Sequence, residues 1–157
     1  MPRRTRWVLL AYRLPREPST PRIAIWRRLR GLGVAQIAAG VVALPLDART
    51  REQLEWIAQD VVEQGGQASI WLAESGSAAQ ERALAGQMAA LVAVDYARLI
   101  QEASTTADAS DTTRRRTLAR LRRALRRIGS RDYFPGAIAE RAHAAVEALG
   151  DTFEAAS

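Results

Sequence analysis

The chain has 157 residues, nearly half of them hydrophobic and a quarter charged, which suits one folded domain or a domain with a helical extension and excludes a disordered chain. It has no cysteine, which excludes disulfides, thiolate nucleophiles and cysteine-ligated zinc. The net charge is +6, all 23 basic residues are arginine, and they are unevenly spread. Residues 1–30 carry nine arginines against Glu17 alone, and residues 114–131 carry nine with no acid, while residues 31–113 carry four against eleven acids. Two basic blocks in an otherwise acidic chain point to an anionic partner, most often nucleic acid.

In chain order, Arg3, Arg4 and Arg6 precede Trp7-Val8-Leu9-Leu10-Ala11. This apolar run is too short for a signal peptide and is closed by Arg13 and Pro15, so it reads as a buried strand over Arg6 to Arg13. No apolar run approaches the ~20 residues that span a bilayer, and no membrane partner is expected. Thr20 and Pro21 read as N-cap and first residue of a helix, with Ile23, Trp26 and Leu29 on its buried face and Gly31 closing it. Val34 to Ile37 and Val41 to Leu44, split by Ala38-Ala39-Gly40, predict a hairpin.

Thr50-Arg51-Glu52-Gln53 has the pattern of a capping box, and Leu54, Ile57, Ala58, Val61 and Val62 make an amphipathic stripe that ends at Gly65-Gly66. Gln67 to Ala73 predicts a further strand. Strand, helix, strand, strand, helix, strand is the order of a ferredoxin-like βαββαβ unit with an antiparallel four-stranded sheet, an α+β fold. Trp7, Val8, Leu9 and Leu10 leave the first strand without a polar side, so the second face of the sheet needs a cover, from the tail or from a second subunit.

The rest predicts about three helices. One spans 77–103 through Leu84, Met88, Leu91, Tyr96 and Leu99. A polar linker, Ser104 to Thr112, precedes a helix over Thr113 to Ile128 with Leu118, Leu121, Leu125 and Ile128 on one face. Asp132-Tyr133-Phe134-Pro135-Gly136 is a turn, and Pro135 starts the last helix, through Ile138, Ala142, Val146 and Leu149. The domains are therefore 1–75, the ferredoxin-like unit, and 76–157, the helical extension.

On the arginine helix, Arg115, Arg116, Arg120, Arg122, Arg123, Arg126 and Arg127 fan opposite the apolar face over ~18 Å, the length of a few phosphates of a duplex strand. A solvated helix face usually interleaves Glu among its arginines, and no acid occurs here. Arg27 and Arg28 of the first helix offer a second phosphate contact. Among the tryptophans, Trp7, Trp26 and Trp71 fit the core. Trp56 lies ~200° from Leu54 on the helical wheel and is expected at an interface, under a second subunit or the tail helices. The only histidine, His143, has no ligand or catalytic partner at useful spacing, no glycine-rich phosphate loop occurs, and neither enzyme activity, metal nor cofactor is expected.

Leu14, Pro15, Pro18, Ser19, Thr20, Arg22, Ile25-Trp26-Arg27, Leu29 and Leu32-Gly33 resemble the N-terminal domain of the ChrB family of chromate-resistance regulators. Gly40-Val41, Leu44-Pro45, Gly65-Gly66, Asp95-Tyr96, Leu99, the arginine helix and Asp132-Tyr133-Phe134-Pro135-Gly136 extend the resemblance over nearly the whole chain. It implies a cytoplasmic, DNA-binding transcriptional regulator, and kinship with the ferredoxin-like domain of phenylacetate-degradation repressors and small CRISPR-associated nucleases, in which this domain dimerises. The nucleases carry an acid at the end of the first strand, whereas this chain has Leu10-Ala11-Tyr12-Arg13, so nuclease activity is not implied. Full-length regulators also have a C-terminal domain; if that domain senses chromate, the present stretch binds DNA without responding to it. Three readings stay open: a homodimeric regulator gripping DNA phosphates, a dimerisation scaffold whose arginines pair with Glu52, Glu55, Asp60 and Glu63, and a sensor whose arginines gather round an oxyanion.

Overall fold

The structure, a computed structural model, describes residues 4–154; Arg3 of the N-terminal basic run lies outside them. The elements are β1 (Arg6–Arg13), α1 (Thr20–Leu32), β2 (Ala35–Ala38), β3 (Val41–Pro45), α2 (Ala48–Glu63), β4 (Gln67–Glu74), α3 (Ala78–Thr106), α4 (Asp111–Gly129) and α5 (Ala137–Glu154). They form two compact units, Met1–Met88 and Ala89–Ser157, with the boundary inside α3.

The first unit holds the ferredoxin-like sheet, in the strand order β2-β3-β1-β4, antiparallel throughout. Each helix of a split βαβ crosses over one intervening strand. The register places Val8 beside Leu44 and Leu72, and Leu10 beside Val42 and Ile70, on one face. Trp7, Leu9, Ala43 and Trp71 share the other. Val8, Leu10, Val42 and Leu44 are buried on the first face and Trp7, Ala35 and Ala43 on the second, so the run Trp7 to Leu10 has no polar side because both its faces are covered. α2 packs against β1 and β4.

Helix ends depart from the sequence reading by one to three residues. Ser19, not Thr20, holds the N-cap position of α1, without a side-chain cap bond, and Thr20 lies in the first turn; the first backbone bond of the helix runs from the Ile23 amide to the Ser19 carbonyl at 3.1 Å. α1 stops at Gly33 rather than Gly31, because Gly33 takes the left-handed conformation (φ 77°) in which its amide reaches the Arg30 carbonyl. Its buried residues are Ile25 and Leu29, while Ile23 is 48% exposed and Trp26 only half-buried. The capping box of α2 is real but shifted. Asp47 is the N-cap and accepts from the Thr50 amide at 2.7 Å, while Thr50 Oγ1 accepts from the Asp47 amide at 3.0 Å. Leu54, Ile57 and Val61 form the buried stripe, and Val62 turns out to solvent.

In the second unit the three helices share one apolar core. Val92, Tyr96, Leu99 and Ala103 come from α3, Leu118, Leu121, Leu125 and Ile128 from α4, and Ala139, Ala142, Val146 and Leu149 from α5. Leu91, expected inside, is exposed, since the buried α3 positions run 88, 92, 96, 99, 103 at helical spacing. The linker is shorter than read: α3 continues to Thr106, and Ser110 caps α4 by accepting from the Thr113 amide. α5 opens at Ala137 rather than Pro135, with the Gly136 carbonyl accepting from the Ala139 and Glu140 amides. By length and composition α3 is apolar enough to cross a membrane, which the sequence reading missed. Packing accounts for its C-terminal half, whose apolar side enters this core.

Candidate nucleic-acid interface

The amphipathic split of α4 decides where its arginines stand. Thr117, Leu118, Leu121, Leu125 and Ile128 are buried against α3 and α5, which turns the opposite side outward. Asp111 in the first turn and Arg126 and Arg127 in the last suit the helix dipole. Arg115, Arg116, Arg120, Arg122, Arg123, Arg126 and Arg127 are all exposed.

Their partners divide them. Arg120 is ion-paired and hydrogen-bonded to Glu102 of α3, a bond that raises its guanidinium pKa further above the ordinary value. Arg122 meets Glu147 of α5 at 3.3 Å, and Arg114 pairs with Asp111 in its own first turn. Among the described residues, no acid pairs with the guanidinium groups of Arg116, Arg123, Arg126 and Arg127. Arg116, Arg123 and Arg127 lie within ~40° of one another round the axis and span ~17 Å along it. Arg126 flanks them on the Arg122 side.

In the first unit, Arg28 is paired with Asp60 of α2, and Arg51 with Glu55 on the same helix at 2.9 Å. Arg27 is exposed. Trp56 stands outward on α2, 59% exposed, as its wheel position requires. Trp71, expected in the core because it lies in a strand, is instead 59% exposed as well, with its indole nitrogen donating to Ser69 Oγ at 2.8 Å. Periodicity cannot show that β4 is an edge strand. A shallow concavity of about 460 Å³ at one end of the sheet, lined by Tyr12, Arg13, Gly40, Gln67 and Ser69 among others, holds one arginine, Arg13.

The Asp-Tyr-Phe-Pro-Gly turn is anchored beneath the end of α4. Arg131 reaches Asp95 of α3 at 2.8 Å, and the Tyr96 hydroxyl donates to Asp132 at 2.9 Å. Burial, with that hydrogen bond and the Asp132 charge added, pushes the Tyr96 pKa up to about 12.

Comparison with known proteins agrees with this architecture. Protein ChrB of Cupriavidus metallidurans is 29% identical over 145 residues, covering 88% of this chain but 43% of that protein. The chain thus spans less than half the length of this relative. The uncharacterised protein Rv0674 of Mycobacterium tuberculosis shares the fold, at 17% identity and a TM-score of 0.53, over 96% of this chain and 63% of its own. Residues 22–157 match the family described as Protein ChrB, N-terminal, and the chain belongs to that family.

Proposed function

We propose that the exposed face of α4 grips the phosphate backbone of duplex DNA, within a cytoplasmic, non-enzymatic regulator tied to chromate resistance. The single observation that carries this reading is the row Arg116, Arg123 and Arg127 with Arg126 beside it, exposed and without a paired acid on a helix that has none after Asp111. The match to ChrB supplies the chromate association. Contacts of this kind follow phosphate spacing and so carry little base information, and neither α1 nor α4 sets Asn or Gln among its arginines to read adenine. Arg27 is a candidate for an additional phosphate contact.

The test is duplex binding against salt, for the native chain and for Arg116, Arg123, Arg126 and Arg127 changed together to Gln. The variant should bind more weakly, with its log K against log [salt] slope shallower by about 0.9 for each contact removed. Native binding that is absent at low salt sinks the reading. The scaffold reading gains Arg120 and Arg122, whose pairs with Glu102 and Glu147 link α4 to its neighbours. The oxyanion reading would need several arginines in one concavity.

A further inference from the structure

The two edges of the sheet are treated differently. β2 is four residues long, carries an irregularity between Gln36 and Ala38, and is capped from outside by one side chain. Gln87 Oε1 accepts from the Gln36 amide at 2.6 Å, and Gln87 Nε2 donates to the Gln36 carbonyl at 3.3 Å. Short length, a bulge and a capping group are the usual devices that stop an edge strand from pairing with another chain. β4 has none of them. It is eight residues long, regular against β1 throughout, and between Gln67 and Glu74 it holds neither a charge nor a proline.

The register shows which of its backbone groups are open. Tyr12 donates to the Gly40 carbonyl and Leu46 to the Arg6 carbonyl, so the even-numbered residues of β1 bond toward β3 and the odd-numbered ones toward β4. Their β4 partners are Gln67, Ser69, Trp71 and Ala73. Ala68, Ile70, Leu72 and Glu74 therefore turn their amides and carbonyls outward. Beside this open ladder, Trp71 is 59% and Leu72 42% exposed.

We infer that β4 pairs antiparallel with β4 of a second copy, joining two sheets edge to edge about a two-fold axis. A two-fold perpendicular to the sheet preserves its faces, so an outward-bonding, even-numbered residue must meet another even-numbered one. The register centred on Trp71 sets Ala68 against Glu74 and Ile70 against Leu72 of the second copy, and gives every open group of both strands a partner. Centring on Ile70 instead would leave Glu74 opposite Gly66, outside the strand. In the Trp71 register the two indoles face each other at a non-hydrogen-bonded position, where opposed side chains lie closest. No like charges meet, since Glu74 faces alanine. That neutrality and self-complementarity select a second copy over a charged peptide. The interface is independent of DNA binding.

The absence of cysteine makes the register directly testable. Under mild oxidation Trp71→Cys should form a disulfide-linked dimer, because opposed Cβ atoms there lie ~4.5–5.5 Å apart. Ser69→Cys should not, because its own equivalent lies four residues along, ~13 Å away. Sedimentation of the native chain should show a dimer, and Trp71→Glu should weaken it about tenfold or more by setting like charges opposite each other. A native chain that stays monomeric at micromolar concentration overturns the proposal. So does cross-linking of Ser69→Cys in place of Trp71→Cys, and so does a dimer that cross-links through neither and dissociates on Trp56→Ala, which would put the interface on α2.

Discussion

The Tyr96 hydroxyl donates to the Asp132 carboxylate at 2.9 Å across 36 residues of sequence, and ties α3 to the turn before α5. Tyr96→Phe keeps the buried ring and removes only this bond, so it should cost about 1 kcal/mol by urea unfolding. The sign of the pH effect follows from a folded-state pKa of about 12 against an ordinary 10. The contribution of neutral Tyr96 is complete below pH 10 and is lost as pH rises toward 12. The native chain should lose stability over that window, and Tyr96→Phe should lose less.

Gly66 lies where the chain leaving α2 touches the end of β1. A Cβ there would stand 2.4 Å from the Arg13 carbonyl oxygen and 2.9 Å from the Val61 side chain. Gly66→Ala should destabilise by about 1–3 kcal/mol, because the clash falls on backbone that cannot yield. Gly31 is the opposite case: it sits within α1, and a methyl group added there would meet nothing within 4 Å. Gly31→Ala should stabilise by about 0.5–1 kcal/mol, and thermal unfolding of the two variants side by side reads the contrast.

Thr50 is fully buried and its hydroxyl does double duty, donating to the Pro45 carbonyl at 2.6 Å and accepting from the Asp47 amide at 3.0 Å. Thr50→Val preserves the shape and strands both partners. A loss of about 1–3 kcal/mol is expected, with the β3–α2 junction showing faster amide exchange. If the loss is below about 0.5 kcal/mol, water replaces the hydroxyl at both partners.

Thr50 also shows how far local sequence carries. Its chemistry as a capping residue was legible, but Asp47, three residues earlier, takes the N-cap and leaves Thr50 at the third helical position. Element order came from such local signals: the apolar stripes at Leu54, Ile57 and Val61 and at Leu118, Leu121, Leu125 and Ile128. What depends on neighbours distant in the chain was not legible. Trp71 lies in a strand that was legible, yet that β4 is the edge of the sheet, with no strand beyond it, was not. Among the candidate arginines, the wheel ranked Arg120 with Arg123, because Glu102 is 18 residues away and only the folded α3–α4 pair brings it to Arg120. Trp56 was recoverable because its position depends on its own helix alone.

The pairing of Arg120 gives a prediction of gain rather than loss. Glu102 holds this guanidinium and adds a negative charge beside the phosphate-facing row. Glu102→Gln removes both effects and leaves Arg120, ~40° from Arg116 on the wheel, available to a phosphate. DNA binding should tighten, and the salt slope should steepen by about 0.9, one added contact. Arg120→Gln should leave the native slope nearly unchanged, because that arginine is already engaged. Arg120 is exposed and Glu102 half-buried, and unfolding stability should move by no more than about 1 kcal/mol in either variant. Filter binding across a salt series separates the outcomes. An unchanged slope in Glu102→Gln would mean that α4 does not face the duplex, even if other arginines of the chain bind it.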